Sequence, residues 1–117
     1  MDIIEYRAFC LSLPGAEEST PFDETTLVMK VGGKMFSFAD MENFFRFNVK
    51  CDPEQAIELR ERYPEVEPGY HCNKKHWNTL RTDGNLSDEF LRNQILASYR
   101  LVVASLPKTT REQLEQP

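Results

Sequence analysis

Between positions 26 and 50 apolar and polar residues alternate in three short runs, and this period of two constrains the fold more than any other feature. TLVMKV at 26–31 puts Leu27, Met29 and Val31 on one face. Gly32-Gly33 follows, a pair that can take positive φ at both positions of a two-residue hairpin turn. KMFSFA at 34–39 runs back with Phe36 and Phe38 on one face. FFRFNVK at 44–50 sets Phe45, Phe47 and Val49 against Phe44, Arg46, Asn48 and Lys50. Such alternation belongs to an antiparallel sheet with one dry face and one wet face.

The flanking segments read as helices that could cover the dry face. Asp2 with Glu5 is a capping-box pattern, and Ile3, Tyr6, Cys10 and Leu13 follow at helical spacing until Pro14-Gly15. Asp52 caps a second helix with Pro53 at its first position and Gln55 completing a box, and Tyr63-Pro64 closes it. Ser87 caps a third, flanked by Leu86 and Leu91 as a hydrophobic staple. Its stripe is Leu91, Ile95, Tyr99, Val102 and Leu106, ended by Pro107. Segments 66–72 and 75–81 read as the last two strands, 16–25 as an acidic surface loop, and the tail from Lys108 as polar and frayed. The order α-β-β-β-α-β-β-α predicts one α+β domain over 1–117, in two layers, with helices on one face of a five-stranded antiparallel sheet.

Composition narrows the setting. Three cysteines at unrelated spacings (Cys10, Cys51, Cys72) suit reduced thiols, and the N-terminus MDIIEYRAFC carries acids where a signal peptide carries bases. The expectation is a cytoplasmic protein with no membrane span. The net charge of −5 opposes strong non-specific nucleic-acid binding, yet residues 69–82 hold Lys74, Lys75 and Arg81 and no acid.

The cluster His71-Cys72-Asn73-Lys74-Lys75-His76-Trp77 concentrates the candidate chemistry. Cys72 and His76, with His71 or Cys51, fall short of the four ligands in paired spacings that structural zinc requires. Cys72 beside His76, with lysines to lower its pKa, lacks an orienting third group and an oxyanion loop. Glu17-Glu18, Asp23-Glu24, Glu58 and Glu61 read as solvated charge, and Gly32-Gly33 is a turn without a phosphate-loop pattern. No catalytic residue, metal or cofactor is expected. A wet face carrying Phe44, Arg46, Asn48 and Lys50, joined by Lys30, Arg81 and Trp77, has the interleaved cations and aromatics that phosphate contact and base stacking use.

Several strings together resemble the MmcQ/YjbR family of small bacterial proteins. They are Leu13-Pro14-Gly15-Ala16, Pro21-Phe22, 30–36 (KVGGKMF), 73–77 (NKKHW), Ser98-Tyr99 and Leu106-Pro107-Lys108. The resemblance covers nearly the whole chain. It implies a secretion-chaperone-like (CyaY-like) α+β fold and a DNA-binding role, by likeness to a double-wing domain. Its signature residues here are Asn73, Lys74, Lys75, His76 and Trp77, with Lys30 and Lys34 flanking the hairpin turn.

The leading expectation is therefore a non-catalytic, monomeric domain that binds DNA weakly. Lys74, Lys75, Arg81, Arg46 and Lys50 would meet phosphates, while His76 and Trp77 would stack or hydrogen-bond. A protein- or peptide-binding module anchored on Phe44 and Trp77 is the second. A small-ligand pocket lined by Trp77, His76 and Tyr99 is the third.

Overall fold

The computed structural model describes residues 1–70 and 72–115. The elements are α1 (Ile3–Ser12), β1 (Glu17–Ser19), β2 (Thr26–Val31), β3 (Lys34–Asp40), β4 (Arg46–Lys50), α2 (Pro53–Arg62), β5 (Val66–Pro68), β6 (Trp77–Arg81), α3 (Asp88–Ala104) and α4 (Lys108–Glu115). The strands form one antiparallel sheet in the order β1-β2-β3-β4-β6-β5. Among the described residues no helix is long and apolar enough to cross a membrane.

Helix starts follow the capping chemistry. Asp2 accepts from Glu5 N–H while the Glu5 carboxylate accepts from Asp2 N–H, Asp52 accepts from Gln55 N–H, and Ser87 accepts from Phe90 N–H. The core lies between helices and sheet: Tyr6, Cys10, Leu27, Met29, Val31, Phe36, Phe47, Val49, Leu80, Leu91, Ile95 and Val102 are all buried. At about 25 cal/mol per Å² of apolar surface removed from water, these side chains supply the main drive to fold.

The sheet has six strands, one more than predicted. β1 consists of exposed Glu17, Glu18 and Ser19, so no apolar alternation marks it. Its backbone pairing with β2 makes it an edge, and charged side chains there discourage a further strand. The tail is not frayed either: α3 ends at Ala104 with Ser105 as its cap, the Pro107 carbonyl accepts from Arg111 N–H, and α4 brings Leu114 against the core. β5 and β6 are shorter than expected because residues 73–76 form a turn, with Asn73 Oδ1 accepting from Lys75 N–H and its carbonyl from His76 N–H.

Two faces differ from the simple alternation. Met29 pairs with Ser37 while Lys30 pairs with Met35, so Phe36 is an extra residue, a β-bulge. Phe36 and Ser37 therefore both enter the core, Phe36 edge-on to Tyr99 (5.5 Å, 86°), and Phe38 is moved to the open face. Ser37 donates its one proton to the Asn48 carbonyl (2.7 Å), so Tyr6 OH is the donor in the 2.6 Å bond to Ser37 Oγ. The second difference precedes β4, where Phe45 N–H turns back to the Asn43 carbonyl. Alternation begins only at Arg46. Phe44 packs inward against Tyr6 and stacks on Phe47 (6.5 Å, 8°), and Phe45 joins the open face.

Candidate functional site

Register places Lys30 of β2, Phe38 of β3, Arg46, Asn48 and Lys50 of β4, and Trp77, Thr79 and Arg81 of β6 on the face away from the helices. That face is not a bare platform. The loop before β2 and the loop after β5 rise on either side of a cleft of about 570 Å³. Met35, Phe38 and Asn48 lie in its lining; Phe22, Asp23 and Thr26 come from one side, and Phe45, Arg46, Tyr70 and Cys72 from the other.

Both walls are pinned by hydrogen bonds. Asp23 Oδ1 accepts from Thr25 N–H (2.9 Å) and Thr26 N–H (2.6 Å), and Oδ2 from Thr26 Oγ1 (3.0 Å). These bonds hold the Asp23 carboxyl below its usual range. On the other side Tyr70 N–H donates to Thr79 Oγ1 (2.8 Å), which donates to Asn48 Oδ1 (2.5 Å). Asn48 Nδ2 in turn reaches the Phe38 carbonyl (3.4 Å). This relay runs beneath the cleft and ties the Tyr70 loop to three strands.

Arg46 is half-buried between two rings, its guanidinium carbon 3.7 Å from the Tyr70 centroid and 4.7 Å from that of Phe45. Arg81 lies 5.2 Å from the Phe45 centroid, but its charge is spent on a bidentate pair with Asp83 (2.7 and 2.9 Å). That pairing holds the Asp83 carboxyl down.

The ten residues expected to bind nucleic acid do not converge. Lys30, Arg46, Lys50, Trp77 and Arg81 belong to the open face, but Trp77 is only 9% exposed and packs on Phe38 (5.6 Å), so it cannot stack on a base. Lys34 leans the other way, toward Ser105 Oγ at the end of α3 (3.4 Å). Asn73, Lys74 and Lys75 are exposed on the turn, where Arg60 Nη1 donates to the Lys74 carbonyl (3.1 Å). His76 is half-buried, its carbonyl taken by Cys51 N–H. Arg60, Phe22, Met35, Phe45 and Tyr70 were not foreseen, although a large aromatic in the acidic 16–25 loop was a signal at Phe22. Tyr99 lies beneath the sheet, bonded to the Pro14 carbonyl (2.5 Å), so Trp77, His76 and Tyr99 do not share a pocket. With Phe44 inside, an interface through Phe44 and Trp77 loses its anchors.

Among the described residues no three His, Cys, Asp or Glu side chains gather as metal ligands, and His71 lies outside the described residues. Burial pushes the Cys72 thiol up to about 11, so it is protonated at neutral pH, and no hydrogen bond joins it to His76.

The family model described as YjbR matches residues 11–101. The chain is 36% identical over 117 residues, 99% of both chains, to Uncharacterized protein YjbR of Escherichia coli K12. It belongs to the YjbR family. Uncharacterized protein YbdF of Escherichia coli O157:H7 is 34% identical over 109 residues, 92% of this chain and 89% of that one. The crystal structure of a Deinococcus radiodurans protein with the DUF419 domain superposes with a TM-score of 0.91 at 38% identity, covering 99% of this chain and 89% of that one. A Pseudomonas syringae protein shares the fold at 20% identity (TM-score 0.74, 86% and 98% covered).

Much of what resembles the YjbR family in this sequence acts inside the fold. Pro14 receives the Tyr99 hydroxyl, Leu114 packs over Gly15, Leu106 lies against Gly32, and Ser98 joins two strands. In the string at 73–77, Asn73 shapes the turn, Lys74 Nζ reaches the Gly69 carbonyl (3.4 Å), and Trp77 fills the sheet face.

Proposed function

We propose that this YjbR-family protein is a non-catalytic binding domain that takes a small molecule in the open-face cleft. The observation that carries this reading is a cleft of about 570 Å³ whose two walls are each pinned before any ligand arrives. Small-molecule sites span roughly 300–1,000 Å³, are lined mainly by apolar and aromatic groups, and hold a few placed polar ones. Phe22, Phe38, Phe45, Tyr70 and Met35 supply the first kind here, Arg46 and Asn48 the second. A thermal-shift screen tests it, since a ligand that binds only the folded state raises apparent stability by mass action. Hits whose stabilisation disappears when Asn43 at the cleft rim is replaced by Trp support the reading; a screen with no such hit opposes it.

Weak DNA binding is the second reading, favoured by one observation: the exposed Lys74-Lys75 turn with Arg60 docked on it. Three cations at one corner suit phosphate contact, while the acidic net charge and the Arg81–Asp83 pair keep such binding weak and salt-sensitive. A cytoplasmic site of action fits three unpaired cysteines, and a monomer fits edge strands of only three residues each.

A further inference from the structure

We infer that the cleft selects a planar, largely apolar molecule bearing one anionic group, anchored by Arg46; this rests on the small-molecule reading above. Three charged side chains line the cleft: Asp23, Asp40 and Arg46. Both carboxylates are occupied by their own turns, Asp23 by the N–H groups of Thr25 and Thr26, Asp40 by those of Glu42 (2.8 Å) and Asn43 (3.2 Å). Among the described residues the Arg46 guanidinium has no hydrogen-bond or ion-pair partner, and its carbon lies over the rings of Phe45 and Tyr70. The group is thus placed by two rings while its N–H donors meet no acceptor among the described residues, and such a fork suits a carboxylate, sulfonate or phosphoryl oxygen pair.

The rest of the cleft sets the body of the ligand. Phe22 is 70% and Tyr70 44% exposed, and both present aromatic surface to the cleft above Met35 and Phe38. Large apolar side chains left this open gain by covering a flat apolar molecule. Asp23 and Asp40 meanwhile disfavour a second negative charge, which argues against a polyphosphate or a nucleic-acid strand in this cleft.

The test compares two fluorescent probes of one aryl scaffold, 1-anilinonaphthalene-8-sulfonate and neutral N-phenyl-1-naphthylamine, on the full chain. Resonances of the Met35 methyl and the Asn48 side-chain amide report whether a probe sits in the cleft. The sulfonate should bind about tenfold tighter than the neutral probe, the gain expected of a charge-assisted contact. In Arg46→Met, which keeps an unbranched stem, the ratio should fall to about one with the neutral probe unchanged; if that variant does not fold, the wild-type ratio decides. Equal wild-type affinities with both probes in the cleft, or a preference that survives R46M, would overturn the anion inference and leave the cleft reading standing. Neither probe shifting the cleft resonances would overturn both.

Discussion

The Ser98 hydroxyl donates to the Phe36 carbonyl at 2.6 Å while accepting from Lys50 N–H at 2.8 Å. In the β3–β4 register, Ser37 opposite Val49 and Phe38 opposite Asn48, the next pair would be Phe36 with Lys50. The bulge at Phe36 opens the ladder there, and a hydroxyl from α3 is inserted where the direct bond would have been. Helix and sheet are thus joined by hydrogen bonds as well as by packing, next to the strand that carries Arg46 and Asn48.

Ser98→Ala leaves a buried carbonyl and a part-buried N–H without partners. The expected loss is about 2–4 kcal/mol of unfolding free energy, read from urea midpoints at unchanged slope. A loss below about 0.5 kcal/mol would mean that the strands close on each other without the serine.

Gly32 and Gly33 make a paired comparison. Both have positive φ (58° and 80°), but a Cβ on Gly32 would sit 2.7 Å from Leu106 Cδ1, whereas one on Gly33 meets nothing within 4 Å. Gly33→Ala should cost about 1–2 kcal/mol for conformation alone. Gly32→Ala should cost about 1–3 kcal/mol more, from overpacking. Equal melting temperatures for the two variants would refute the contact with Leu106.

The wall carrying Phe22 should loosen in acid. The folded-state pKa of Asp23 is depressed by the Thr26 and Thr25 hydrogen bonds, so its contribution is complete above the ordinary value of 3.8 and is lost as pH falls through the lower folded value. Amide exchange at Thr26 should therefore accelerate below that ordinary value while Val49 in the central sheet stays protected. Protection at Thr26 that is independent of pH would show that the carboxylate does not hold the loop.

Cys72 offers a chemical reading of the same cleft. With its thiol pushed up to about 11 by burial, alkylation by iodoacetamide should be slow at pH 7 and rise steadily toward pH 11. A cleft ligand should slow it further. Rapid labelling at neutral pH would contradict the burial that raises this pKa.

The layers and most of the element order were legible because N-caps at Asp2, Asp52 and Ser87 and the period-two runs at 26–50 are local signals. Three features were not. β1 carries no apolar side chain and is held by its backbone and the Arg7–Glu18 ion pair, α4 has Leu114 as its single large apolar side chain, and the bulge at Phe36 lies where the Phe36 carbonyl meets the hydroxyl of Ser98, 62 positions away. The site was half legible. Arg46 and Asn48 follow from alternation, but an irregular turn before β4 exchanged the faces of Phe44 and Phe45. The loops bearing Phe22 and Tyr70 closed over a face expected to be open. Lysine count drew attention to the 73–77 string, where three of five residues, Asn73, Lys74 and Trp77, have side chains engaged in holding the turn and the sheet.

Charge reversal separates the two binding readings. Lys74→Glu with Lys75→Glu should weaken duplex DNA binding and flatten its salt dependence, yet leave affinity for a cleft ligand unchanged. Loss of both activities together would place a single site across turn and cleft.

The most direct test is a two-dimensional NMR titration of the full chain with a fragment library and, separately, a DNA duplex at about 50 and 200 mM salt, a change that costs a multi-phosphate binder orders of magnitude in affinity. Fragments should shift Met35, Phe38, Asn48 and Tyr70 as one cluster. A duplex that shifts Lys74 and Lys75 at low salt, with no fragment perturbing the cleft, would contradict the small-molecule account and leave the basic turn as the functional surface.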